Sequence, residues 1–274
     1  MKMKKVISGV LATVATLGCM ATMTACDTAH PQVEIVLTFQ GEEYELNYNL
    51  YRKVAPATVE HFLTLADEGY YTEQDICVHD FADTRMYMGA YKYQNETLVY
   101  QNYYDVVKGY KNFSSTVFTD KESKTSTYTL YGEFSANKFT VENGELKESY
   151  GSLSMYYTDK SSEDRVFVEH PEAGEATRDY KYNSATSQFF ISLTEETKKN
   201  SYYCTFATLD EDDVDTLKAL QQAVEEYASD EDGLKKITVD VDEDDLYVGE
   251  TGRVETYDVL TSAVIIKSVR VKKF

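Results

Sequence analysis

The 274-residue chain has no tryptophan and few cations. Its 27 Lys and Arg stand against 47 Asp and Glu, a formal net charge of −20. A surface of that sign repels nucleic-acid phosphates and anionic lipid headgroups, so neither is expected as a partner held by charge. Cysteine is scarce, at four residues, and the spacing gives no paired Cys/His set of the kind that holds structural zinc. No glycine-rich loop is present to cradle a phosphate, which argues against a nucleotide cofactor. No cofactor or metal of any kind is expected. The serines and threonines lack the His/Asp context of an activated nucleophile. No internal repeat is visible. Beyond the first two dozen residues no run of about 18 apolar residues occurs, so no membrane-spanning helix is expected in a processed chain.

Those first residues have their own pattern. Lys2, Lys4 and Lys5 precede an apolar stretch from Val6 to Met23, which closes on the small residues of "MTAC" at Cys26. A charged start, a short apolar core and small residues before a cut describe a secretory signal peptide. The ending is similar to a bacterial lipobox, which implies cleavage before Cys26 and lipid on its sulfur. Plain signal cleavage with an incidental cysteine is the other reading, and Cys19 competes for the lipidation role. The expectation is a signal peptide over 1–25, a linker over 26–32, and a domain over 33–274 held outside the cell to the membrane by lipid on Cys26. Several acyl chains on one cysteine anchor firmly where one chain is marginal.

The domain reads as mostly strand. "VEIVLTF" and "YELNYNLY" flank Gly41 as a hairpin. "APATVEHFLTLADEGYY" switches to helical spacing at Val59, Phe62, Leu63 and Ala66, with Pro56 at its start and Gly69 at its end. "DICVHDF", "RMYMGAY", "STYTLYGEF", "GSLSMYY", "SQFFISL", "YYCTFATL" and "SAVIIKSVRVKKF" read as further strands. "DDVDTLKALQQAVEEYA" is an amphipathic helix with Val214, Leu217, Leu220, Val224 and Tyr227 on one face. Three stretches show no period and read as loops: about 92–127, 158–182 and 229–258. Many strands with few helices describe a barrel or a sandwich. The 24 tyrosines, clustered at Tyr91, Tyr93, Tyr100, Tyr103, Tyr104 and Tyr110, fit either a recognition surface or half-buried strand faces.

Taken in order, "VEIVLTF", "APATVEHFLTLADEGYY", "YGEF", "YGSLSM", "NSATSQFFISL" and "TFATL" resemble the cyclophilin-type peptidyl-prolyl isomerases. The resemblance implies a mainly β fold: a closed antiparallel β-barrel of about eight strands capped by two helices, Pro56–Glu68 and Asp212–Ala228, here with long loop insertions. It also implies that the Ser-Gln-Phe-Phe strand lines a groove for proline-containing peptides. Gln188 would bond the peptide backbone and Phe190 would wall the proline pocket. Strand alternation puts these two on one face and Phe189 on the other.

Rotation about an X–Pro bond faces a barrier of about 18–20 kcal/mol. The resemblance implies an arginine that lowers it by donating to the proline nitrogen, in a Phe-His-Arg triplet after Gly-Tyr-Tyr. The matching stretch here is "CVHDF", with His79 on the histidine and Asp80 on the arginine. A carboxylate only accepts hydrogen bonds. Loss of one preorganised donor typically costs about 2.7–4 kcal/mol, so catalysis is expected to be weak or lost. His79 then reads as a packed strand histidine. The Phe-Met-x-Gln strand is matched loosely by "RMYMGAY", and two alignments stay open. Either Arg85, Met86 and Met88 take the Phe, Met and Gln places, or Tyr87 and Met88 take the Phe-Met places. Met86 and Met88 are therefore pocket wall or plain core. Tyr156 and Tyr157 stand where the family has smaller residues, Lys198 or Lys199 replaces a Trp or Leu, and Tyr203 falls on a His or Tyr. Arg85 either bends into the groove as a substitute guanidinium or faces solvent beside an acid such as Asp83.

Asp240, Asp242 and Asp244 alternate as in a calcium loop, but Asp245 and Thr251 stand where Gly and Glu are needed, so the run reads as a solvated acidic excursion. Cys77 and Cys204 are either a disulfide or two buried thiols. The function expected is that of an isomerase-family lipoprotein acting on exported polypeptides, with an eroded active site. The other reading is a non-catalytic protein using the barrel as scaffold for a cell-envelope partner, through the tyrosine-rich 92–127.

Overall fold

The computed structural model describes residues 29–82, 84–110, 113, 118–119, 129–135, 146–157, 165–170, 174–179, 184–241 and 253–274. The stretch expected to be a signal peptide, Cys19, Cys26, Asp83 and most of the acidic run after Val241 lie outside the described residues.

Fifteen strands are described: β1 (Gln32–Phe39), β2 (Glu42–Leu50), β3 (Ile76–Ala82), β4 (Arg85–Gln94), β5 (Thr97–Tyr100), β6 (Phe118–Thr119), β7 (Leu130–Tyr131), β8 (Leu153–Tyr157), β9 (Arg165–His170), β10 (Gly174–Asp179), β11 (Ser184–Ser192), β12 (Cys204–Leu209), β13 (Leu234–Val241), β14 (Arg253–Leu260) and β15 (Ile265–Lys273). The helices are α1 (Pro56–Asp67), the single turn α2 (Tyr103–Val107) and α3 (Val214–Ala228). The largest sheet runs β5-β4-β3-β15-β1-β2-β12-β8-β11-β7, and β4 pairs again with β11. That second pairing closes eight strands into an antiparallel barrel, with β5 and β7 added at its rim. Closure removes the free edges that a sandwich would leave.

The alternation along the strands sets inside and outside. Val33, Ile35 and Leu37 of β1, Leu46 and Leu50 of β2, Phe189 and Ile191 of β11 and Phe206 of β12 all belong to one buried core with Phe62 of α1 and Leu217, Leu220 and Val224 of α3. Phe62 meets Phe189 edge to face at 5.3 Å and Phe206 at 5.1 Å. Such aromatic contacts add to area burial in holding the helix to the barrel.

Helix α1 begins at Ala55, which has no side-chain cap of its own. The buried carboxylate of Glu133, from the "YGEF" stretch, accepts from the backbone N–H of Ala57 at 3.0 Å and of Thr58 at 2.8 Å. This satisfies two of the donors left open at a helix start and places a negative charge at the positive end of the helix dipole. The helix ends on Gly69, whose φ of +78° is costly for any side chain with a Cβ. There Tyr70 N–H donates to Leu65 O and Gly69 N–H to Ala66 O, a pattern that uses up the last carbonyls.

Several sequence expectations are corrected. The stretch 158–182 is not loop throughout: β9 and β10 form a hairpin, joined by β6 in a separate three-stranded sheet. The acidic stretch 229–258 contains β13 and most of β14, paired to each other from Leu234↔Leu260 to Val241↔Arg253. Their inner face, Ile237, Val239, Val241 and Val259, packs with Cys77, Ala90 and Tyr91 in a second core outside the barrel wall. The alternation of apolar and polar residues was present in "LKKITVDV", but the density of acids masked it. Of "STYTLYGEF", only Leu130–Tyr131 is strand among the described residues. Within 92–127, Tyr103 and Val107 of α2 reach the main core. Cys77 and Cys204 are both free and buried in different cores, so they form no disulfide with each other. Among the described residues no helix is long and apolar enough to cross a membrane.

Candidate functional site

Three neighbouring strands bring two of the expected site residues, Asp80 and Phe190, to either side of Tyr87. Asp80 of β3 pairs with Tyr87 of β4, and Tyr87 pairs with Phe190 of β11. The register between Val78 and Asp80 shifts by one residue, a bulge that accommodates His79 as an extra residue. Val78 still faces the core, opposite Met88. Phe190 is opposed on its other side by Ser154 of β8, whose hydroxyl meets that of Thr205 at 2.8 Å.

The parity expected for β11 holds. Phe189 is in the core, while Phe190 packs outside it against Tyr87 at 5.3 Å and Tyr203 at 5.2 Å between ring centres. Tyr156 completes the wall, 5.2 Å from Tyr87 and stacked on Tyr203 at 5.9 Å. Gln188 shares the outer face and is 6 % exposed. Among the described residues its amide makes no hydrogen bond. Beside it, Gly89 has a φ of +101°, and an added Cβ would lie 2.3 Å from Ser187 O. Only glycine lets β4 and β11 approach so closely.

Met86 and Met88 are not part of this wall. Both are fully buried in the barrel core, opposite Ile191 and Phe189. The outer face of β4 belongs instead to Arg85 and Tyr87, because strand alternation puts even and odd positions on opposite sides. Tyr87 was not singled out as a site residue in its own right.

Of the two readings for Arg85, the structure shows the side chain turned toward Phe190 and 17% exposed, not facing solvent. Its guanidinium carbon sits 4.5 Å from the Phe190 ring centre and 4.9 Å from that of Tyr203. Nε donates to Glu148 Oε1 at 2.9 Å, Nη2 to Glu148 Oε2 at 2.8 Å and Nη1 to the Tyr87 hydroxyl at 3.3 Å. Glu148 is completely buried and also accepts from Ser192 Oγ at 3.0 Å and Asn200 Nδ2 at 2.7 Å. Burial alone would raise the pKa of Glu148, but Arg85, Asn200 and Ser192 hold it below the usual value. The Arg85 pKa is raised: burial works against the charge, and the bonds to Glu148 and Tyr87 outweigh it. Glu148, Asn200 and Ser192 left no trace in the sequence pattern. Glu148 stands in a polar stretch without period, and a backbone bridge to Lys198 brings it to the site.

With Phe190 0 % exposed, the ring expected to wall a pocket is covered by the chain's own side chains. Asp80, half-buried, has a raised pKa, chiefly from burial, offset by the Phe81 N–H and supported by Asp258 and Glu255 of β14. His79 packs between Tyr91 at 4.9 Å and Tyr257 at 5.4 Å, under the β13–β14 hairpin. The partly exposed groups on this face are thus the Asp80 carboxyl and the edges of Tyr87, Tyr156 and Tyr203, with the Gln188 amide nearly buried behind them.

The family model described as cyclophilin type peptidyl-prolyl cis-trans isomerase/CLD matches residues 35–241. The chain belongs to this family. The closed eight-stranded barrel is the family's fold. Among solved structures, the chain is similar to a Cryptosporidium parvum cyclophilin-type peptidyl-prolyl cis-trans isomerase, at 17% identity over 89% of this chain and 99% of that one, with a TM-score of 0.42. The same enzyme crystallised in the presence of the dipeptide Ala-Pro matches at 18% identity, with the same coverage and a TM-score of 0.41. No curated protein matches the chain.

Proposed function

We propose that this cyclophilin-like domain works outside the cell, tethered through lipid on Cys26, and binds exported polypeptides in the β4–β11 groove with little or no isomerase turnover. The observation that carries the reading is the guanidinium of Arg85 on the face of Phe190, 4.5 Å from its centre. Turnover needs room for a proline ring and a donor that strengthens its hold as the amide twists. The row Asp80–Tyr87–Phe190 offers a carboxyl at one end and a covered ring at the other. A carboxylate in this row disfavours peptide carbonyls and gives nothing to the proline nitrogen. Gln188 keeps an amide with both donors and acceptors beside a bare glycine, which suits a backbone contact.

The tyrosine-rich segment is the weaker candidate for a partner surface. Tyr91 and Tyr103 are buried, and Tyr110 packs on the main core, so these rings fill space inside the protein. Calorimetric titration of the mature chain with an unfolded exported polypeptide tests the choice. Loss of binding in Gln188→Ala supports the groove. Binding that survives Gln188→Ala but not substitution of Tyr93 and Tyr104 supports the scaffold reading.

A further inference from the structure

The groove's occupant bears on what the groove selects. A ring stacked on Phe190 and the Arg85 guanidinium would need the same volume, since each requires van der Waals contact with the same aromatic surface. Arg85 is not free to leave. Glu148, fully buried, receives two of its bonds from that guanidinium and the other two from Ser192 and Asn200. Swinging Arg85 out would strand a buried carboxylate without a cation, which is strongly unfavourable. Tyr203 holds the guanidinium from a second side, and Tyr87 bonds its third nitrogen. Gln188, by contrast, lies past this plug, next to Gly89, with its amide unpaired among the described residues.

We propose that Arg85 and Glu148 are the specificity-determining pair of this groove: the chain's own guanidinium stands in for a proline ring, so the groove takes extended polypeptide without selecting proline. The inference rests on the peptide-binding reading above and names its substrate class. That class is an unfolded segment recognised through its backbone, whether or not it contains proline.

Two labelled peptides, identical except for Pro or Ala at one central position, would be titrated by fluorescence anisotropy into the mature wild type, Gln188→Ala and the double variant Arg85→Ala/Glu148→Gln. The double variant removes both charges together and leaves no unpaired buried ion. Wild type is expected to bind the two peptides within about twofold of each other. The double variant is expected to favour the proline peptide by about tenfold, an increment of about 1.4 kcal/mol. A wild type that already favours proline fivefold or more overturns the inference and leaves the groove reading standing. A folded double variant that gains no preference also overturns it. If wild type binds neither peptide, the groove reading itself fails, and this inference with it. Should the double variant not fold, the wild-type comparison decides alone.

Discussion

Glu148 grips Arg85 with two parallel bonds of 2.9 and 2.8 Å across 63 residues of sequence. A buried pair of this kind is asymmetric in its energetics. Removing one partner strands the other, whereas removing both charges is often near neutral. Arg85→Ala is therefore expected to lower the unfolding free energy by about 3–5 kcal/mol, with Arg85→Ala/Glu148→Gln closer to wild type than the single variant. Denaturant unfolding followed by circular dichroism measures both. Equal losses for the single and double variants would mean that the carboxylate is not dependent on the guanidinium.

Glu133 closes the start of α1 from outside the helix. Glu133→Ala leaves the N–H groups of Ala57 and Thr58 without their acceptor and is expected to cost about 1–2 kcal/mol, the upper range for loss of a helix cap. Glu133→Gln keeps an acceptor and should lose less. Thermal melts rank the three proteins.

His61 gives the stability a pH dependence with a definite sign. It is fully buried, and burial lowers its pKa to about 4 despite the bond from its Nε2 to Thr186 O. In the unfolded chain it titrates near 6.5. As pH falls below about 6.5 the unfolded state takes up the proton first, so stability drops until about pH 4, where the folded state also protonates. The loss from this group is about 3 kcal/mol over that window. His61→Gln retains a donor for Thr186 O and should flatten the slope between pH 6.5 and 4. The comparison of denaturation midpoints against pH checks it, and parallel curves would contradict it.

The β13–β14 hairpin seals Cys77. Burial pushes the thiol's pKa up to about 12, so thiolate at pH 8 is negligible and native labelling should be undetectable. Ile237→Asp places a charge in the second core and should loosen the hairpin. Cys77 is then expected to label, while Cys204, in the main core, stays protected. Mass spectrometry of the labelled peptides separates the two. Equal labelling of both would indicate global unfolding instead.

The barrel was legible because its inward positions obey simple periods. Val59, Phe62 and Leu63 gave the α1 face, Leu217, Leu220 and Val224 the α3 face, and Phe189 against Phe190 the two sides of β11. The β13–β14 hairpin was missed because its alternation is carried by only Ile237, Val239 and Val241 among acids and lysines. Met86 and Met88 were ambiguous because β4 changes environment along its length, and only pairing with Phe189 and Ile191 fixes which face is inside. The plug was half legible: Arg85 turning into the groove was one of two readings, but its partners were not in view. Arg85, Glu148, Asn200 and Tyr203 meet through long-range pairing, and no local pattern encodes that.

The proposed loss of turnover rests on Arg85 filling the space over Phe190 and on Asp80 offering no donor. Line-shape or exchange NMR on an Ala-Pro peptide, with and without the mature protein, measures cis–trans interconversion directly. With wild type the interconversion is expected to be as slow as for the peptide alone, taking about tens of seconds or longer. Clear acceleration by wild type that disappears in Phe190→Ala would contradict the proposed loss.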